Sequence, residues 1–444
     1  MPVLLNELKD KKITLIGYGV SNKALGDYFI ENKIKFTVRD LKSTNLPSGV
    51  DGFFGSDYLN INEEIVFRSP SVHPVKIPKG KTVFTEISYS LENAKGKKIG
   101  VTGSDGKTTT ATIINKILER EHKSYLVGNI GAPLIRKIND TCKDDFIVSE
   151  LSSFQLYDYT PTLDVAVITS ISENHLDWHT SMADYVFSKR NILKKAKRAV
   201  VNYDSPYKEF FAHPNISYFS LYDMSMHVGN GASYTYVKNG YIYHNESKLF
   251  PLDFIKIKGR YNILNTLSAV SATIEYVSLD SIIEAVKEFE GVSHRAQTVA
   301  KINGITFIDS SIDSTPARTV STLSSFPKEK SVIILGGYDK NLSYEILSSA
   351  LKGVRAAILF GENKYKIQEA IKENPKKTVI VNNIFEATKV AYKEAINGDY
   401  VILSPSSASF DMFENYKERA EKFKEAIRGL ENGKFEENSK HLDE

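Results

Sequence analysis

The sequence predicts an α/β protein of three domains, and three stretches carry that prediction. At residues 12–19, Lys-Ile-Thr-Leu-Ile-Gly-Tyr-Gly gives a buried strand ending in a glycine turn, with a helix from about Ser21. At 98–110 an apolar run, Ile99 to Val101, enters the turn Gly103-Ser104-Asp105-Gly106-Lys107-Thr108, and a helical pattern follows through Ile113, Ile114 and Ile117. In the last third, apolar runs at 332–335, 356–360, 378–381 and 400–403 alternate with helical stretches. Strands alternating with helices build a mostly parallel sheet covered on both faces. The expected architecture is a Rossmann-like domain over residues 1–93, a central P-loop mononucleotide-binding domain with a parallel sheet over 94–292, and a second Rossmann-like domain over 293–444.

In the first domain a second strand at 35–38 closes on Asp40, a third at 64–67 runs into Arg68-Ser69-Pro70-Ser71, and an extended segment spans 81–84. The dinucleotide fingerprint Gly-x-Gly-x-x-Gly is incomplete, because its third glycine is Asn22. An acidic residue after the second strand can bond a ribose or a base edge, so NAD and a nucleotide sugar both remain open here. The polar stretch 92–97 reads as a linker.

The turn at 103–108 reads as a phosphate-binding loop. Its N–H groups and the positive end of the next helix make a concave anion site. Lys107 is placed to reach the β- and γ-phosphates, and the Thr108 hydroxyl to hold Mg²⁺. Val101 stands where the strict motif has its first glycine, so only the shorter form Thr-Gly-x-x-Gly-Lys-Thr survives.

After the strand at 145–148, Glu150 sits at a rim where α/β sheets bind ligands, and His175 follows the strand at 163–168 in the same way. Both are candidate metal ligands beside Thr108; for an isolated Glu, a solvated or capping role is the ordinary one. Lys189 falls on a helix expected at 182–195 among several lysines, where a solvated surface charge is usual. Asn239-Gly240 and Asn303-Gly304 are hairpin signals. Asn262, with Asn265 one turn on, is as good a helix cap as a ligand. The tail at 415–429 reads as an amphipathic helix whose basic residues form a solvated face.

Composition excludes some classes. Lys plus Arg number 57 against 54 Asp plus Glu, so no global field argues for nucleic acid or an anionic membrane. No run approaches the ~20 apolar residues of a membrane span, and the first ten residues lack a signal-peptide core. The single cysteine, Cys142, forms no internal disulfide and fits a reducing cytoplasm as a packing thiol.

Taken together, Gly103 to Thr108, Glu150-Leu-Ser-Ser-Phe-Gln-Leu156, Asn174-His175, His294-Arg295, Asp309-Ser310, Leu335-Gly-Gly and Leu403-Ser-Pro-Ser-Ser-Ala-Ser-Phe-Asp411 resemble the Mur ligases of peptidoglycan synthesis over essentially the whole chain, most nearly the D-glutamate-adding branch. The resemblance implies an ADP-forming, ATP-dependent amide ligase that joins D-glutamate to UDP-N-acetylmuramoyl-L-alanine through an acyl phosphate, as a cytoplasmic monomer. It implies that Gly103, Ser104, Asp105, Gly106, Lys107, Thr108 and Thr109 hold ATP, helped by Asn262, Asn265, Arg295 and Asp309. Thr108, Glu150, His175 and Lys189 would serve two Mg²⁺, with Mn²⁺ as the alternative metal. Lys189 matches the family's carbamate-forming lysine. Gly19, Val20, Ser21 and Asp40 would hold the uridine diphosphate, Ser71 and Asn129 the muramoyl-alanine, and Lys340, Ser406 and Phe410 the D-glutamate.

Two departures stand out. Ser311 replaces a lysine many relatives carry, with Arg318 as the expected compensating charge, and Leu41-Lys42 replaces a Thr-Arg pair after Asp40. The competing readings are a sibling ligase for another amino acid, a folylpolyglutamate synthase, a non-catalytic nucleotide switch and an NAD-dependent dehydrogenase.

Overall fold

The computed structural model describes residues 4–431 apart from 176–177, 258, 341 and 373. The chain divides into two compact units, Met1–Phe289 and Glu290–Glu444. Among the described residues three sheets are present, two in the first unit and one in the second.

The first sheet is all parallel, in the order β3-β2-β1-β4-β5, with β1 Ile13–Ile16, β2 Thr37–Asp40, β3 Asp51–Phe54, β4 Ile65–Arg68 and β5 Thr82–Phe84. Helix α1, Val20–Glu31, leaves the β1 turn. Leu15, Val38 and Phe67 are fully buried, which is why these strands read as apolar runs rather than alternating ones. A capping box between Thr85 and Ser88 then starts α2, Glu86–Asn93. The segment expected as a linker from 92 therefore begins inside a helix, and only three residues separate α2 from the next strand.

The second sheet has nine strands in the order β14-β13-β12-β11-β10-β9-β6-β8-β7. Its parallel part comprises β6 Lys97–Thr102, β7 Ser124–Gly128, β8 Phe146–Glu150, β9 Thr162–Ile168, β10 Lys195–Asn202, β11 Ile216–Ser220 and β12 Ser233–Lys238. Antiparallel β13 Tyr241–His244 and β14 Ser247–Pro251 complete it. Between β12 and β13, Asn239 (φ 49°) and Gly240 (φ 76°) make the expected two-residue turn with both φ positive. Helix α3, Lys107–Leu118, follows β6, and α4, Ser153–Leu156, follows β8. The helix expected over 182–195 is shorter. Helix α5, Met182–Arg190, gives way to a single 3₁₀ turn, and the charged run from Lys195 opens β10. The first three residues of β10 reach past the core, so their charges hide a strand whose last five residues are buried. Helix α6, Arg260–Thr273, packs its small buried residues against α3.

In the second unit β15 Gln297–Ile302 and β16 Ile305–Asp309 form the second Asn-Gly hairpin. The remaining strands, β17 Ser331–Leu335, β18 Ala356–Leu359, β19 Thr378–Ile380 and β20 Tyr400–Leu403, join β16 in parallel, giving the order β15-β16-β20-β17-β18-β19. The ends of β16, β20 and β17 lie side by side, with Asp309 and Ile334 both facing Leu403 in register.

Candidate functional site

The phosphate loop is built where β6 ends between β8 and β9. Gly103 (φ 155°) and Gly106 (φ 80°) take backbone angles that suit glycine, and a Cβ on Gly106 would lie 2.2 Å from the Asn265 Oδ1. Ser104 is pinned from behind: its hydroxyl lies 2.9 Å from that of Tyr185 and donates to the Ser172 carbonyl. The Asp105 N–H donates to Ser170 Oγ at 3.0 Å. Lys107 Nζ folds over the turn, donating to the carbonyls of Gly103 at 3.0 Å and Ser104 at 2.7 Å.

Three predicted residues converge at the head of α3. Thr108 Oγ1 donates to Glu150 Oε2 at 2.7 Å, and Asn129 Nδ2 donates to Glu150 Oε1 at 3.2 Å. Asn129, assigned on resemblance to the muramoyl-alanine, is thus placed on the candidate metal carboxylate. Thr109 is buried in the first turn of α3. Asn265 Nδ2 donates to Asn262 Oδ1 at 3.2 Å, and Asn262 is no cap: Gly259 occupies that position.

Lys189 is not a surface charge. It is 2% exposed, and its Nζ donates to the Gly103 carbonyl at 2.8 Å behind the loop. Burial first, and the Lys107 charge second, hold its amine well below the usual lysine range, against the opposing pull of Glu150 and Asp105. His175 is exposed with φ 56°, its ring 4.8 Å from that of Phe154 on α4. Among the described residues no group of three His, Cys, Asp or Glu side chains could cage a metal. The donors on hand, the Thr108 hydroxyl and the Glu150 carboxylate, are hard oxygens. They fit Mg²⁺, which takes one or two protein oxygens and completes its octahedron with phosphate and water.

A second concave site lies on the first sheet. A cavity of about 320 Å³ is lined by Gly17, Gly19, Asp40, Ser69, Ser71 and Lys76, among others, so three predicted residues meet there. Val20 and Ser21 are the first residues of α1 beside it. Asp40 is fixed by backbone donors, Tyr18 N–H to Oδ2 at 2.7 Å and Lys42 N–H to Oδ1 at 3.2 Å. Asn22, where the fingerprint lacks its glycine, donates through Nδ2 to the carbonyls of Ile16, Gly17 and Phe67. Arg68, fully buried, ties this wall to the second sheet: it pairs with Asp158 through both carboxylate oxygens and donates to the carbonyls of Val72 at 3.1 Å and Phe154 at 2.9 Å. The Trp178 indole N–H adds a long bond to the Ser71 carbonyl.

In the second unit an isolated bridge between Tyr338 and Ala408 brings the loop of Lys340 alongside that of Ser406 and Phe410. Lys340 is exposed, Phe410 is 64% exposed, and Ser406 is buried at φ 60° with a hydroxyl that has no partner among the described residues. Asp309 Oδ2 lies 2.8 Å from His294 Nδ1; burial would raise this carboxyl, but the bonds from His294 and Ser311 hold it below its usual range. Arg295 lies next to His294 on the approach to β15. Arg318 is exposed, its guanidinium on the Ile312 carbonyl at 3.3 Å. The cation buried against Ser311 is instead Arg419, on the terminal helix Tyr416–Glu431. It is 0% exposed and donates to the carbonyls of Ser311, Ser407 and Ala408 at 2.8–3.0 Å, which corrects the expectation that this helix carries only solvated basic residues.

Sequence reasoning missed Lys76, Tyr58, Arg68, Tyr185 and Arg419. None stands in a motif; each acquires its place through packing.

Residues 101–273 match the model of the Mur ligase middle domain, and 294–407 that of the Mur ligase glutamate ligase domain. The chain is 36% identical to the UDP-N-acetylmuramoylalanine–D-glutamate ligase of Clostridium tetani, covering 96% of this chain and 99% of the relative. The enzyme of the same name from Clostridium beijerinckii is 37% identical over the same shares. Among solved structures, the UDP-N-acetylmuramate-alanine ligase of Thermotoga maritima superposes with a TM-score of 0.61 at 18% identity, covering 95% of this chain and all of that one, which is a likeness of fold.

Proposed function

Because the chain belongs to the Mur ligase family, we propose that it joins D-glutamate to UDP-N-acetylmuramoyl-L-alanine with conversion of ATP to ADP, a cytoplasmic step of peptidoglycan synthesis. The observation that carries this reading is the Thr108–Glu150 contact of 2.7 Å at a phosphate loop, in a chain that also has an anion-suited cavity on its first sheet. An NAD-dependent dehydrogenase has no use for the phosphate loop, and a nucleotide switch none for the cavity.

Gly103 to Thr109 cradle the ATP phosphates, with Lys107 swinging from the loop carbonyls to the β- and γ-oxygens. Thr108 and Glu150, with His175, would hold Mg²⁺, which when bound would supply charge neutralisation for transfer of the γ-phosphoryl group to the L-alanyl carboxylate. The amine of D-glutamate then attacks the acyl phosphate carbonyl, losing a proton, and the tetrahedral centre collapses to amide and inorganic phosphate. Burial disfavours the charged form of Lys189, the direction that addition of CO₂ requires: the neutral nitrogen would bond the carbon, one proton would leave, and a carbamate anion would replace the amine behind the loop. Asn262 and Asn265 are the nucleotide's neighbours in the first unit. In the second unit we assign Arg295 and Asp309 to the nucleotide and Lys340, Ser406 and Phe410, with Arg318, to D-glutamate. Domain limits of 1–93, 94–292 and 293–444 and a monomeric state belong to the same reading, and limited proteolysis and sedimentation test them.

The deciding experiment is phosphate release from ATP and Mg²⁺ with UDP-N-acetylmuramoyl-L-alanine against a panel of D- and L-amino acids, with product mass determined. Release that needs both the nucleotide sugar and D-glutamate, with a product heavier by one glutamyl unit, is expected. Release with a different amino acid makes this a sibling ligase, and release with none overturns the reading.

A further inference from the structure

The cavity of the first sheet has a polarity that follows the strand order. On its β2–β3 flank stand Asp40, Leu41 and Tyr58; in its centre are Gly17 and Gly19; on its β4 flank are Ser69, Ser71 and Lys76. Asp40 and Lys76 are the two charged side chains of the lining, one on each flank. The centre is itself positive. Helix α1 has twelve residues, and its cap residue Gly19 provides no side-chain acceptor for the first-turn N–H groups. Lys76 sits at the end of the short 3₁₀ turn Pro74–Lys76, exposed, and forms no ion pair with a carboxylate among the described residues. Asp40, by contrast, is anchored by two backbone donors.

A ligand that fits this sequence of charges is anionic in its middle and carries hydroxyl or N–H donors at one end. We infer that Lys76 is a specificity-determining residue of the nucleotide-sugar site: its ammonium pairs with the diphosphate lying over the α1 N-terminus, while Asp40 accepts from the ribose or base at the opposite flank. The turn between β1 and α1 holds no cation of its own, its sequence being Gly17-Tyr18-Gly19, and the Leu41 that lines the cavity brings none. The charge comes from the loop after β4, three strand ends on in sequence but next to β1 in the sheet. The wall that brings it there is held in place by Arg68, whose guanidinium gathers the carbonyls of Ser69, Pro70 and Val72. The inference rests on the ligase reading for the identity of the nucleotide sugar.

The test is calorimetric titration of the full chain with UDP and with uridine, alongside KM for UDP-N-acetylmuramoyl-L-alanine. Lys76→Met is expected to weaken UDP about tenfold and leave uridine within about twofold, and Lys76→Glu to weaken UDP further. Lys76→Arg is expected to keep most of the UDP affinity, and added salt to narrow the gap between UDP and uridine in the parent protein but not in Lys76→Met. KM for the nucleotide sugar should rise in parallel while kcat, and KM for ATP, stay within about threefold. UDP affinity in Lys76→Met and Lys76→Glu equal to that of the parent overturns the assignment, as does equal weakening of UDP and uridine. Because UDP binding is read apart from turnover, a parent protein that binds UDP yet does not add D-glutamate counts against the ligase reading and leaves Lys76 to be judged by the titration.

Discussion

The two glycine turns of the first unit share a construction and differ in where their cation comes from. Each joins the end of a central parallel strand to a twelve-residue helix, β1 to α1 and β6 to α3. In the turn after β6 the cation is written into the motif as Lys107, folded on its own loop's carbonyls, with Lys189 behind. In the turn after β1 there is none, and the nearest candidate, Lys76, arrives from the loop after β4. A turn that must grip a mobile triphosphate through a reaction carries its charge in the covalent frame. One that only seats a substrate handle can borrow it from a neighbouring strand end. That is why the first kind announces itself in a sequence and the second does not.

This contrast can be broken most decisively at Lys107. Lys107→Ala is expected to lower kcat by about 10²–10³-fold with the fold intact by circular dichroism, far beyond any effect at Lys76. A loss of only tenfold would erase the distinction between the two turns.

The glycines themselves give a second test. Gly106→Ala forces a Cβ toward Asn265 at φ 80° and is expected to cost about 2–3 kcal/mol in urea unfolding, with weakened ATP binding. Gly19 has an ordinary φ of −80° and no atom within 4 Å of an added Cβ, so Gly19→Ala should stay within about 1 kcal/mol. Equal costs would mean that the two turns are equally strained.

Asn22 sharpens the comparison from the other side. Installing the missing fingerprint glycine, Asn22→Gly, removes bonds to three carbonyls at the ends of β1 and β4, and is expected to cost about 1–2 kcal/mol without creating NAD affinity. NAD binding by this variant would show that the first turn is a dinucleotide site one residue short.

A probe read by pH lies between the turns. Glu86, at the start of α2, accepts from the Ile135 N–H at 2.8 Å, and burial pushes its carboxyl up to about 7. The folded state therefore keeps a proton that the unfolded state releases from about pH 4.5, and this contribution to stability falls as pH rises between those values, by at most about 1.4 kcal/mol per unit. Glu86→Gln should flatten that fall; an unchanged slope from pH 4.5 to 7 would mean that Glu86 ionises freely in the fold.

Much of the architecture could be read from the sequence because its strands are buried on both faces and its turns carry glycine, Asn-Gly or Gly-Lys-Thr. The phosphate loop, Glu150 and both hairpins follow from residues adjacent in the chain or at the ends of apolar runs. Reading failed where burial and charge part company. Strand β10 begins in a charged run that looks helical, and α2 hides in a polar stretch behind its capping box. The buried side chains Lys189 and Arg419 look like any surface lysine or arginine until packing encloses them. Resemblance supplied Lys189; nothing local supplied Arg68, Lys76 or Arg419, whose partners lie on other strand ends.

Arg419 has a consequence for the order in which the protein comes into being. The bond from Thr108 to Glu150 spans 42 residues and that from Lys189 to Gly103 spans 86, so the phosphate loop can close on a nascent chain well before synthesis ends. The Ser311 carbonyl must wait 108 residues for Arg419, on the last described helix. Until that helix clears the ribosome, the strand ends of the second unit lack the guanidinium that gathers them. A premature stop that removed little more than the terminal helix would leave a chain with its phosphate loop assembled and the loops of Ser311 and Ser407 unfastened.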